Sequence, residues 1–112
     1  MILKLLAKKH VREILKLLNE HEYLNFGQIL REININQSNL SKLLNELVDA
    51  GLLEKWEEKE GYKLPKAYYK ITDEGKNALI IYEIEENLKN LKKKQVSMIH
   101  NIIYGKPAIA EQ

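Results

Sequence analysis

The sequence predicts a mostly α-helical domain that carries one small β-hairpin and ends in a long helix. Three observations predict it. Apolar residues recur at helical spacing through residues 3–19, 26–33, 37–50 and 73–103. The period changes once, after Gly51, where the short runs LLEKWEE and KAYYKIT flank a Gly- and Pro-containing loop, KEGYKLP. The 112 residues, 45% apolar and 30% charged, have globular composition and room for one core.

Each element has a local justification. Leu3, Leu6, Val11, Ile14, Leu15 and Leu18 share one face of a first helix over residues 3–19. EHEYLN breaks it, and Tyr23-Leu24 can form a short strand. Asn25 is placed to cap a second helix, Phe26 to Ile33, burying Phe26, Ile29, Leu30 and Ile33. Asn34 can take the left-handed conformation that ends a helix. Asn36 can cap a third helix, Gln37 to Ala50, with Gly51 where a C-terminal glycine belongs. Pro65 fits the end of the hairpin loop, where no ladder hydrogen bond is required. Thr72 caps the last helix, whose first turn carries Asp73 and Glu74 on the side favoured by the helix dipole. Gly105 and Pro107 stop that helix near Ile103.

Residues 26–53 have a mechanical reading. Ile29, Leu30 and Ile33 pack against Leu40, Leu44, Leu47 and Val48, with Ile35 plugging the turn. Gln37, Ser38, Asn39, Ser41, Lys42 and Asn45 are left at the N-terminus or on the open face of the third helix. Amides and hydroxyls suit base edges, lysine suits phosphate, and a helix N-terminus offers free N–H groups to a phosphate.

INQSNLSKLLNELVDAGLLEKWEE resembles the recognition helix and following strand of winged helix-turn-helix transcription regulators. Gln37, Ser38, Leu40, Ser41, Lys42, Leu44, Leu47, Gly51, Leu52 and Leu53 fall at the pattern positions. LPKAYYKITDEGKNAL is similar to the wing strand and helix start of PadR-like and MarR-like regulators, through Tyr69, Ile71, Thr72 and Gly75. Where MarR-like proteins place arginine, this chain has Lys42 in the helix and Lys59, Lys63 and Lys66 in the wing. The resemblance implies a regulator that binds double-stranded DNA, with the third helix in the major groove and the wing lysines on flanking phosphates or in the minor groove. Gln37, Asn39 and Asn45 would lean the readout toward adenine. Lys59, Lys63, Lys66 and Lys70 have a second reading, as solvated lysines that protect a hairpin edge. Trp56 and Tyr68 are placed as a cross-strand pair on the outer face.

Ile81, Ile84, Leu88, Leu91, Gln95, Met98 and Ile102 follow a 3,4 spacing, a coiled-coil seam along the last helix. The domain body can cover the first turns only, so the remainder needs a partner, most simply a second copy. The other reading breaks the helix near Lys92–Lys94 and folds it back on helix 1 as a monomer. The expected organisation is a winged helix domain over 1–75, whose helix 1 can share the dimer interface through Ile2, Leu3, Leu5 and Leu6, a dimerisation helix over 76–104 and a tail over 105–112. Two recognition helices would then read a pseudo-palindrome with half-sites roughly 34 Å apart. An effector between helix 1, the last helix and the body would shift that spacing, but no residue set identifies one. The competing class is a protein-interaction winged helix of a transcription or partition complex.

Charge refines this picture. The formal net charge is only +2. Residues 1–12 carry +4, Lys59–Lys70 +3 and Lys89–Lys94 +4, against −4 over residues 71–88. The helix-turn-helix segment itself sums to −1. Only the wing patch is assigned to the DNA side, the other two falling on helices assigned to dimerisation. Other chemistry has little support. There is no cysteine, and His10, His21 and His100 are isolated in sequence, so no metal or cofactor is expected. Glu83, Glu85 and Glu86 read as a solvated face, and no phosphate loop, nucleophile elbow or HExxH motif marks an enzyme. The longest apolar run, Ala78–Tyr82, is far below the roughly 20 residues a membrane span needs. A cytoplasmic location is expected.

Overall fold

The computed structural model describes residues 2–59 and 61–103, with side chains as far as Asn90. The elements run α1 (Ile2–Leu6), α2 (Val11–Asn19), β1 (Leu24–Asn25), α3 (Phe26–Glu32), α4 (Gln37–Asp49), β2 (Leu53–Glu58), β3 (Lys66–Ile71) and α5 (Asp73–Ile103). The chain parts into two compact units between Ile80 and Ile81, and each is described by itself.

The helix expected over residues 3–19 is two helices. α1 ends in a turn closed by Lys8 N–H donating to the Leu5 carbonyl at 3.0 Å and Val11 N–H to the Lys8 carbonyl at 3.3 Å. His10 carries the reversal at φ 73°, a left-handed conformation rare for a side chain of its size. That strain, on the order of 1–2 kcal/mol, is offset by packing: the bend lets Leu5, Leu6 and Val11 all be buried. No glycine or proline marks the break in the sequence.

α2 inserts Val11, Ile14, Leu15 and Leu18 into the centre of the unit, each with no exposed surface. α3 starts at a reciprocal cap. Gln28 N–H donates to Asn25 Oδ1 at 2.9 Å, and Asn25 N–H donates to Gln28 Oε1 at 2.8 Å. Ile29 and Ile33 are buried as expected, whereas Phe26 and Leu30 are only half-buried. α3 has barely two turns, so its apolar stripe is too short to bury four side chains. Its end also differs from expectation. Ile33 leaves the helix in an extended conformation, φ −105° and ψ 127°. Among the described residues only His10, Gly51 and Gly61 have positive φ, so Asn34 does not take the left-handed role.

α4 begins at Asn36, whose Oδ1 accepts the Asn39 N–H at 2.8 Å. It ends in a Schellman closure, with Gly51 at φ 80°. Gly51 N–H donates to Val48 O at 3.0 Å and Leu52 N–H to Leu47 O at 2.9 Å. The chain turns directly into the sheet, whose antiparallel order is β1-β3-β2. The hairpin thus gains a third, two-residue strand, with Leu24 opposite Tyr69. Leu24, Leu53, Tyr69 and Ile71 face the helices and are buried. Burial, then the Glu57 carboxylate, raises the Tyr69 phenol above its ordinary 10.0. Its contribution to stability is complete below pH 10 and is lost only as pH rises through that higher value.

The start of α5 is stitched to the α4–β2 junction. Thr72 Oγ1 donates to Gly51 O at 2.7 Å and accepts the Gly75 N–H at 3.0 Å. Thr72 N–H donates to Leu52 O at 3.1 Å. Gly75 is buried so closely that a Cβ there would collide with the Leu52 carbonyl oxygen and stand 2.6 Å from Ile71 Cγ1. Backbone cannot yield as a side-chain tip does. Gly75→Ala is therefore expected to cost about 1–3 kcal/mol, read as a lowered midpoint in urea unfolding.

In the second unit, α5 continues to Ile103, giving a 31-residue helix about 45 Å long. Ile81, Ile84 and Leu88 are 39%, 52% and 63% exposed, aligned on one face by their 3 and 4 spacing. The seam residues Leu91, Gln95, Met98 and Ile102, and the tail over 105–112, lie outside the residues whose side chains are described. No described helix is long and apolar enough to cross a membrane.

Candidate nucleic-acid interface

α4 separates its two faces cleanly. Leu40, Leu44 and Leu47 have no exposed surface, while Gln37, Ser38, Asn39, Ser41, Lys42 and Asn45 are all exposed. This follows from the 3.6-residue period once Asn36 fixes where the helix begins. The six side chains thus lie together on the first two and a half turns, around the N-terminal end where the helix dipole is positive. The arrangement can offer amides, hydroxyls and one ammonium to a groove while the apolar face stays anchored.

The wing is the β2–β3 hairpin. Lys59, Lys63, Lys66 and Lys70 are exposed. Lys66 stands opposite Glu58 in the strand register. Lys66 also borders a concave surface of about 520 Å³ shared with Asn25, Gly27, Gln28 and Arg31 at the start of α3. The loop beside them exposes two large apolar side chains, Tyr62 and Leu64, which the sequence reading did not single out.

Trp56 and Tyr68 pair across the strands and stack, with ring centroids 5.8 Å apart and planes 14° apart. Tyr23 completes a cluster with edge contacts at 5.7 Å to both rings. Its inclusion depends on β1 adding to β3, a long-range pairing with only two residues of local signal. Trp56 Nε1 donates to Glu58 Oε2 at 3.1 Å. These bonds and ring contacts make the cluster a brace for the sheet.

The basic N-terminal segment lies close to α4. Lys8, Lys9 and His10 border a concave surface of about 480 Å³ together with Asn34, Asn36, Asn39, Lys42 and Glu46. Lys8 Nζ pairs with Glu46 Oε2 at 2.7 Å. His10 Nδ1 stands 2.9 Å from Glu13 Oε1. His21 is exposed, and no group of three or more potential metal ligands occurs among the described residues.

Comparison with known proteins agrees with this architecture. A family model described as bacterial regulatory protein, arsR family, matches residues 8–55, from the α1–α2 turn into β2. An uncharacterized protein of Methanocaldococcus jannaschii is 48% identical over 106 residues, 95% of this chain and 88% of that protein. An uncharacterized HTH-type transcriptional regulator of the same organism is 40% identical over 108 residues, 96% of this chain and 100% of that protein. Among solved structures, Bacillus subtilis PadR in complex with operator DNA has a TM-score of 0.59 and 27% identity. That match covers 65% of this chain but only 45% of PadR. The reduced form of the B. subtilis transcriptional regulator YodB has the same fold, with a TM-score of 0.69, 22% identity and coverage of 81% of this chain and 87% of YodB. The capped helix pair, the hairpin wing and these relatives lead to one assignment: the chain belongs to the HTH-type transcriptional regulators, DNA-binding proteins of the MarR-, PadR- and ArsR-like winged helix-turn-helix superfamily.

Proposed function

We propose that the protein is a sequence-specific regulator that binds double-stranded DNA as a homodimer on a pseudo-palindromic site, in the cytoplasm. The observation that carries this reading is the open face of α4, where six hydrogen-bonding side chains are exposed over a fully buried leucine stripe. In this reading Gln37, Asn39 and Asn45 contact base edges, and Ser38, Ser41 and Lys42 share bases and phosphates. Lys59, Lys63 and Lys66 hold the flanking backbone. PadR, similar in fold and at 27% identity, was solved on its operator DNA, which supports duplex DNA as the ligand here.

The exposed seam of Ile81, Ile84 and Leu88 supports pairing of α5 with a second copy, extended by Leu91, Met98 and Ile102. Isolated in water, such a face leaves large apolar side chains exposed at 3,4 spacing, the pattern that a coiled-coil partner covers. Pairing would set the spacing of the two recognition helices. An effector ligand would act by changing that spacing.

A salt titration tests the reading. Binding of the full chain to a mixed-sequence duplex, followed by fluorescence anisotropy, is expected to weaken steeply between 50 and 200 mM salt, as counterion release requires. Weak binding that is flat in salt would instead favour a protein-interaction module, a class consistent with the −1 charge of residues 26–53.

A further inference from the structure

We infer that the α1–α2 turn is a third contact with the DNA backbone, in which Lys8 and Lys9 join Lys42 around a phosphate seat beside the recognition helix. This rests on the DNA-binding reading above and adds a contact that neither the helix nor the wing supplies. Lys8, Lys9 and Lys42 border one open concavity with Asn34, Asn36 and Asn39. Two of its polar residues, Asn39 and Lys42, belong to the face proposed to read DNA. A duplex engaged by that face therefore brings its backbone past the same concavity.

Charge favours a phosphate there. Three lysines face one carboxylate, Glu46, among the side chains bordering the concavity. Lys8 is held by Glu46 at 2.7 Å. Among the described residues no carboxylate lies within ion-pair distance of Lys9 or Lys42, so their charge remains available to a polyanion. The neutralising acids of the helix-turn-helix segment are thereby answered from outside it.

The lysines are also presented on a fixed support. The turn is closed by the Lys8-to-Leu5 and Val11-to-Lys8 backbone bonds and anchored by buried Leu6 and Val11. His10, in its left-handed conformation, lies 2.9 Å from Glu13. Glu46 fixes Lys8 over α4 and takes up part of its charge, leaving Lys9 as the stronger phosphate partner. Opening that pair would release Lys8 as a further one.

The test compares the full parent chain with Lys9→Gln, Lys9→Arg and Glu46→Gln on one duplex across a salt series. Lys9→Gln is expected to flatten the log–log salt slope by about 0.9 for each protomer bound, the loss of one phosphate contact, with base preference unchanged. Lys9→Arg keeps the parent slope. Glu46→Gln steepens it, because Lys8 is freed. Lys9 is exposed and Glu46 half-buried, so thermal unfolding of each variant is compared with the parent to separate a changed slope from a changed fold. If the parent binds DNA and Lys9→Gln matches it in slope and affinity, the turn contact is wrong and the regulator reading stands. If the parent binds no duplex, the regulator reading fails and the turn contact falls with it.

Discussion

Leu44→Ala is expected to lower the stability of the folded unit by about 2–5 kcal/mol, measured as the change in urea midpoint at unchanged slope. Leu44 has no exposed surface, and it sits with Leu40 and Leu47 on the stripe that anchors α4. Truncation removes its transfer free energy and leaves a cavity that neighbouring leucines fill only in part. A unit of this size has roughly 4–12 kcal/mol in total, so one side chain governs a large share of it. The adjacent residue gives the opposite result. Asn45 is exposed, so Asn45→Ala should leave stability within about 0.5 kcal/mol. If Asn45 pairs with a base, that substitution should lose about 1–3 kcal/mol of discrimination at one position. Equal stability losses for the two variants would contradict the division of α4 into an anchored face and an open one.

The double substitution Ile84→Glu with Leu88→Glu is expected to convert a dimer to a monomer, read by sedimentation or light scattering at micromolar concentration. Both positions are exposed in the single chain, so the glutamates should not disturb the winged helix unit. In a paired helix they would place four carboxylates along one seam, where desolvation and like charge both oppose association. DNA affinity should then fall by roughly 10²–10⁴, the range over which linking two weak sites raises avidity. A parent chain that is already monomeric at these concentrations would overturn the pairing of α5.

The extent to which this fold could be read from its sequence follows from the range of the interactions involved. Asn25, Asn36, Gly51 and Thr72 each act on residues within four positions, or close a helix end, and the structure finds each cap or turn where the sequence placed it. The alternation of α4 was equally legible, because Leu40, Leu44 and Leu47 obey the helical period. The break at Lys8–His10 was not. Helix-forming residues occupy it, and the bend is decided by where Leu5, Leu6 and Val11 find cover, which is a tertiary matter. β1 was half legible: Leu24 lies in the predicted strand, but its pairing with Tyr69 joins segments far apart in sequence. The same reason hid Tyr23 from the Trp56–Tyr68 pair. Most consequential is the N-terminal basic segment, assigned to the dimer side on sequence grounds. The bend carries Lys8 and Lys9 to α4, beside Asn39 and Lys42. Gly75 falls at a position of the wing-strand pattern, and the structure supplies the cause in the Leu52 carbonyl that leaves no room for a Cβ.

In the proposed function the open face of α4 reads a defined DNA sequence in a two-fold arrangement. Selection from a random duplex library with the full chain tests it most directly. The expected result is enrichment of an imperfect palindrome, with half-sites roughly 34 Å apart and adenine among the contacted bases. Asn39→Ala, which leaves the cap formed by its backbone N–H with Asn36 Oδ1 in place, is expected to select a different sequence. A library that emerges without a preferred site, or an Asn39→Ala profile identical to the parent's, would contradict it.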